Sequence, residues 1–177
     1  LGAEAPDPDV MRRPPRARGD RLLSWGMLAR AYLFLGLLEA AAAMLVYFAV
    51  LHAGGWRYGE MPGRLDTLYL QATTACLLTI VVTQVVNVFL CRHARKSLFS
   101  FGLTSNRLLL AGIATEIALL VFIVYVPLGH WLFGTAPVGY ETWLMALAGA
   151  LVMAVCEEAR KAWRRRVARP AHPPGRA

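Results

Sequence analysis

Read for its hydrophobic pattern, the chain divides into four apolar runs separated by polar or basic connections. The first, AYLFLGLLEAAAAMLVYFAVL, runs from Ala31 to Leu51 and is broken only by Glu39. The second runs from Thr67 to Leu90, and the third from Leu108 to Val126 with Glu116 inside it. The fourth is centred on WLMALAGALVMAVC, Trp143 to Cys156, and reaches spanning length if it starts near Val138. A helix rises about 1.5 Å per residue, so about 20 residues cross a hydrocarbon core of about 30 Å. The pattern predicts an all-α membrane protein, four transmembrane helices in a bundle, at about 31–51, 67–90, 108–126 and 138–156.

The flanks agree with these limits. Asp66 is the expected N-cap of the second helix, and Thr104 or Asn106 that of the third. Pro127 and Gly129 are placed to stop the third. Trp25, Trp56, Trp131, Trp143 and Trp163 lie outside the runs or at their edges, as an aromatic belt at two interfaces requires. Gly36, Ala40 and Ala43 in the first run, and Ala146, Ala150 and Ala154 with Gly149 in the fourth, offer small-residue faces for close helix contact.

Composition sharpens the membrane reading. Only 17% of residues are charged and 57% are hydrophobic, against about 25% charged in soluble domains. The net charge is +8, and its placement decides its meaning. All of the 19 bases except Arg57 and Arg64 fall in residues 1–30, in the connection between the second and third runs, or in the tail. Basic connections mark the cytoplasmic side, so both termini and the middle connection are expected there, against anionic lipid headgroups. No RNA-binding aromatic motif or zinc finger is present, and no nucleic-acid partner is expected. The domain division that follows is a Pro/Arg-rich cytoplasmic segment at 1–30, a transmembrane domain at 31–157, and a basic cytoplasmic tail at 158–177. The opening LGAEAPDPDVM does not read as the start of a gene product, and a piece of a longer protein is expected.

Cys76, Cys91 and Cys156 have no CxxC spacing and read as reduced thiols. His52, His93, His130 and His172 are scattered without ligand spacing. No hydrolytic triad, phosphate-cradling glycine loop or HExxH motif appears, so no catalytic residue is assigned.

The chemistry lies in the polar residues inside the runs. VVTQVVNVFLCRHARKSLF places Gln84 and Asn87 three apart on one helix face, with Thr83 at its border. Two amide oxygens and a hydroxyl are neutral, hard acceptors suited to sodium, potassium, calcium or magnesium. They do not complete a coordination shell, and the charge would have to come from another helix. The alternative is that these carboxamides bridge helices, at about 0.6–2 kcal/mol each. Glu39 and Glu116 are the acids of the apolar runs, with no base inside a run to pair with either. An intramembrane carboxylate is costly and reads as functional by default; protonation, a bound cation or hydrogen bonds from neighbouring helices are the options.

At these residues the chain resembles a known family, the C-terminal membrane region of P-type cation-transporting ATPases of the calcium-pump and sodium/potassium-pump branch. LGAEAPDPDVMRRPPR is similar to the loop after the sixth span, and RAYLFLGLLEAA to the start of the seventh. TIVVTQVVNVFLCRHARKSLFSFG resembles the eighth span and the loop after it, SNRLLLAGIATEIALLVFIVYVP the ninth, and EEARKAWRRR the exit of the tenth. The likeness runs in order through about residues 1–167. It implies four spans that support a transport core made by spans four to six, which lie outside this sequence. It carries an eighth-span cation ligand onto Gln84 and places Asn87 where sodium/potassium pumps have an acid one turn on. It carries a ninth-span glutamate of their extra sodium site onto Glu116, whose neighbouring acid is Thr115 here. The transported-cation ligands that the resemblance implies are Gln84, Asn87 and Glu116, with Glu39 and Thr83 as further intramembrane polar groups.

The phosphorylated aspartate, the nucleotide-binding domain and the actuator domain of the family are outside this sequence. The resemblance therefore implies no cofactor in this segment, ATP and Mg2+ in the full-length parent, and no ATP hydrolysis by the segment alone. Its implied partners are the remaining spans and cytoplasmic domains of the same pump and the transported cation, in the plasma membrane. The competing reading of the residues is an independent four-span membrane protein, a small carrier or an assembly subunit.

Overall fold

The computed structural model describes residues 25–60, 63, 66–91 and 106–167. Within these, the chain is built from five helices: α1 (Trp25–Ala53), α2 (Thr67–Cys91), α3 (Arg107–Tyr125), the short α4 (Pro127–Phe133) and α5 (Tyr140–Val167). All but α4 are long and apolar enough to cross a membrane. The N-terminal segment through residue 24, the basic connection at 92–105 with Thr104, and the tail from residue 168 lie outside the described residues.

Local chemistry sets the helix ends. Asp66 Oδ1 accepts the Leu68 N–H at 3.1 Å, and Asn106 Oδ1 accepts the Leu109 N–H at 3.1 Å. Each side chain satisfies a backbone donor that the first turn leaves without a partner. Val126 is extended (φ −91°, ψ 132°), the conformation a following proline imposes, and it ends α3. Pro127 then opens α4, where its missing N–H is no loss. Gly134 closes α4 at φ 63°, a left-handed position that glycine takes without strain.

The helices pack unequally. The central helix is α2, which buries Ala72, Thr74, Ala75, Leu78, Thr79, Val82, Thr83 and Leu90 between α1 and α5. Val46, Leu120, Val124, Ala146 and Ala150 close the rest of the core. On α1, Ala43 is buried but Ala40 is exposed, so the small-residue face there is only partly used. α1 packs tightly on α5 at Gly149, where a Cβ would stand 2.9 Å from the Ala42 Cβ. The outer surfaces of α1, α3 and α5 present Leu33, Leu37, Leu45, Leu119, Leu144, Leu147 and Leu151. An apolar exterior over spanning helices is what a lipid surround stabilises.

Two ends of the bundle are distinct. At one, the α4–α5 linker docks on the start of α2: the Ala136 N–H donates to Thr74 Oγ1 at 3.1 Å, and Gln71 Nε2 to the Pro137 carbonyl at 3.1 Å. Tyr125 Oη donates to the Val138 carbonyl and receives Trp143 Nε1–H at 2.8 Å. At the other end, the start of α1 meets the ends of α2 and α5 through charged groups. There α5 continues eleven residues beyond Cys156, to Val167, so Arg160, Lys161 and the Arg164–Arg166 run extend a helix rather than a loose tail. A second departure from a plain helical reading lies in α1, where Arg30–Leu35 is π-helical and the Gly36 N–H donates to the Ala31 carbonyl five residues back.

Candidate functional site

The intramembrane polar residues come together where α1 faces α2. Gln84 Nε2 lies 2.8 Å from Glu39 Oε1 and 2.8 Å from Oε2, so one amide nitrogen serves both carboxyl oxygens. Asn87 Nδ2 donates to Gln84 Oε1 at 3.4 Å, and the Cys91 thiol donates to Asn87 Oδ1 at 3.3 Å. Spacings of three and four residues put these side chains on one face of α2, and every donor in the chain points toward Glu39. A hydrogen bond between membrane helices contributes about 0.6–2 kcal/mol. The Gln84 carboxamide thus bridges two helices to the acid of α1, and Asn87 supports it from within α2.

Thr83 is fully buried beside them, but its hydroxyl donates within α2 to the Thr79 and Ile80 carbonyls, both at 2.9 Å. Glu116 stands elsewhere. It is half-buried on α3, in a shallow groove shared with Val88 of α2 and with Asn106, Leu109 and Gly112. Among the described residues it makes no hydrogen bond to Gln84 or Asn87. The five polar residues singled out in the sequence therefore divide into one connected set on α1 and α2, one self-satisfied hydroxyl, and one separate carboxylate.

A second constellation escapes sequence reasoning. Glu157 on α5 is 0% exposed and takes a 2.6 Å hydrogen bond from Arg30 Nη2 of α1. Arg160 closes on the same carboxylate in a fork, Nε to Oε2 at 2.7 Å and Nη2 to Oε1 at 2.6 Å. One helix turn pairs Glu157 with Arg160, and the planar guanidinium matches the carboxylate. Lys161, also buried, donates to the Leu90 carbonyl of α2 at 3.0 Å and to Glu158 at 3.3 Å. An ammonium at a helix C-terminus meets carbonyls that lack intrahelical partners and the negative end of the helix dipole. The available signal was a buried acid among bases, EEARK, but those bases read as topology markers. Among the described residues no three His, Cys, Asp or Glu side chains gather around one point.

Four apolar spans, an intramembrane acid held by a carboxamide and an ionic knot at one bundle end define the membrane domain of a multi-pass protein. The chain belongs to the cation-transporting ATPases: the family described as "Cation transporting ATPase, C-terminus" matches residues 1–163. Among its relatives is the sodium/potassium-transporting ATPase subunit alpha-3 of Homo sapiens, 28% identical over 186 residues, which cover 91% of this chain. The alpha-4 subunit of Rattus norvegicus is 28% identical and the alpha-2 subunit of Pongo abelii 27% identical over the same length. The chain spans 18% of the length of these relatives. It is a C-terminal domain of a P-type ATPase, integral to the membrane.

Proposed function

We propose that this chain forms the seventh to tenth spans of an ATP-driven cation pump, supporting the transport core and lending it ligands from α2. The observation that carries this reading is the Gln84 carboxamide, held inside the membrane against the Glu39 carboxylate in a chain of this family. Gln84 and Asn87 contribute neutral oxygen to a transported cation, and Glu116 serves a second position on α3. The domain division at 1–30, 31–157 and 158–177 accompanies this reading, with both termini on the cytoplasmic side of the plasma membrane and basic residues against anionic headgroups. Spans four to six and the cytoplasmic domains are the partners. ATP and Mg2+ act in those cytoplasmic domains.

The test is cation-stimulated ATP hydrolysis by the full-length parent. Gln84→Ala shifts its apparent cation affinity far more than Leu77→Ala, a change one helix turn or more away on the same helix. Equal effects would reduce the carboxamides to helix bridges. A full-length protein without a DKTG-type phosphorylation motif upstream of this region would favour the independent four-span alternative.

A further inference from the structure

Glu39 is an intramembrane acid that no cation among the described residues pairs with. Its hydrogen bonds come from one neutral amide, and an uncompensated ion in an apolar surround is expensive. The cations on the elements packed against it are engaged elsewhere. Arg30 of α1 and Arg160 of α5 hold Glu157, and Lys161 holds the Leu90 carbonyl and Glu158. Arg164, Arg165 and Arg166 lie further out on α5, and His52 is at the opposite end of α1. The remaining ionisable groups of these helices are Tyr32 and Tyr47 on α1, Tyr69, Cys76 and Cys91 on α2, and Tyr140, Glu141, Cys156, Glu157 and Glu158 on α5. None of them brings positive charge to Glu39.

We propose that Glu39 and Gln84 form a monovalent-cation site between α1 and α2, with Glu39 supplying the charge that α2 lacks. The inference rests on the reading that the α2 carboxamides serve a transported cation, and it names the group that completes them. One carboxylate balances one alkali cation, whereas a divalent ion would leave excess positive charge in the apolar layer. In the arrangement described, Gln84 presents its nitrogen to Glu39. Amide nitrogen and oxygen are nearly the same size, so half a turn of the amide plane exchanges donor for ligand without repacking. Gln84 Oε1 and the Glu39 oxygens then face the cation together.

The half turn cannot stop at Gln84. Its nitrogen now faces Asn87, which turns as well to accept with Oδ1, and Asn87 Nδ2 comes to face Cys91. Cation binding reverses the whole run of bonds, and Cys91 changes from donor to acceptor. A thiol that receives an N–H bond favours its thiolate and reacts faster. Cys91 is exposed, whereas Cys76 and Cys156 are half-buried, so it reports the event at the bundle surface.

The experiment uses the full-length protein in lipid nanodiscs without ATP. It measures equilibrium binding of radioactive Na+ and the rate of maleimide addition at Cys91, located by mass spectrometry. Na+ is expected to speed labelling of Cys91. Glu39→Gln is expected to bind one Na+ fewer per protein and to lose the Cys91 response, while Leu77→Ala keeps both. If Glu39→Gln binds Na+ as the parent does, the site is wrong. K+ in place of Na+ supports the same monovalent site with a different preference. A Cys91 response to Ca2+ but to neither alkali ion overturns the monovalent assignment. Gln84→Glu, which adds a charge without removing Glu39, is expected to turn the response toward Ca2+; an unchanged alkali preference there counts against the pair. A parent that binds Na+ at Glu39 but does not transport under ATP would sink the pump reading and leave this site standing.

Discussion

Lys161 Nζ of α5 lies 3.0 Å from the carbonyl oxygen of Leu90, one residue before the end of α2. This contact fixes the end of the helix that carries Gln84, Asn87 and Cys91. It also places a buried ammonium, only 1% exposed, against the negative pole of that helix.

Lys161→Met is therefore expected to lower stability by about 1–3 kcal/mol, the cost of leaving a buried polar partner unsatisfied. Thermal unfolding in detergent or nanodiscs measures it. The last turn of α2 is expected to lose amide protection in hydrogen exchange before the rest of the helix. Unchanged protection there would mean that the cap does not hold the turn.

Glu157 is the common acceptor of two guanidinium groups, so its charge matters more than its volume. Glu157→Gln leaves Arg30 and Arg160 facing each other and is expected to cost about 3–5 kcal/mol, as for a buried pair broken on one side. Replacing all three, by Arg30→Met, Glu157→Leu and Arg160→Leu, is expected to recover most of that loss, because no buried charge remains unpaired. Unfolding midpoints of the single and triple variants decide between an ionic and a packing role.

Gly149 and Ala42 meet where α5 crosses α1. A methyl group at Gly149 would stand 2.9 Å from the Ala42 Cβ, tighter than packed carbons allow. Gly149→Ala is expected to destabilise by about 1–3 kcal/mol through overpacking, and Ala42→Gly in the same molecule to restore much of it. A double variant no better than the single one would show that the two sites do not touch energetically.

The proposed orientation is tested by position. A reporter fused after Pro62 is expected outside the cytoplasm, and one after Lys96 inside. Both on one side would overturn a four-crossing path.

The spans were legible because a membrane demands about 20 apolar residues and tolerates few interruptions. Asn106 was legible as a cap because it stands immediately before an apolar run. The Glu39–Gln84 contact was not, since the two residues are 45 apart and periodicity fixes a helix face without fixing which neighbour it meets. Arg30 and Glu157, 127 residues apart, were harder still: basic residues near span ends serve topology so often that their pairing leaves no separate trace. The extension of α5 was hidden for a related reason, because RKAWRRRV is charged enough to look like a tail. It continues a helix whose buried Glu157 and Lys161 tie it to α1 and α2.

The π-helical stretch at Arg30–Leu35 decides which way α1 presents its two charged residues. Successive residues of an α-helix turn by about 100°, so Arg30 and Glu39 would stand about 180° apart in an unbroken one. A π turn absorbs about one residue of that rotation, leaving about 80°, and both side chains can address the α2–α5 side. The stretch is a gear tooth in the helix. Slipping it back to α geometry would rotate one end of α1 against the other by about a quarter turn, carrying Arg30 off Glu157 while leaving Glu39 in place.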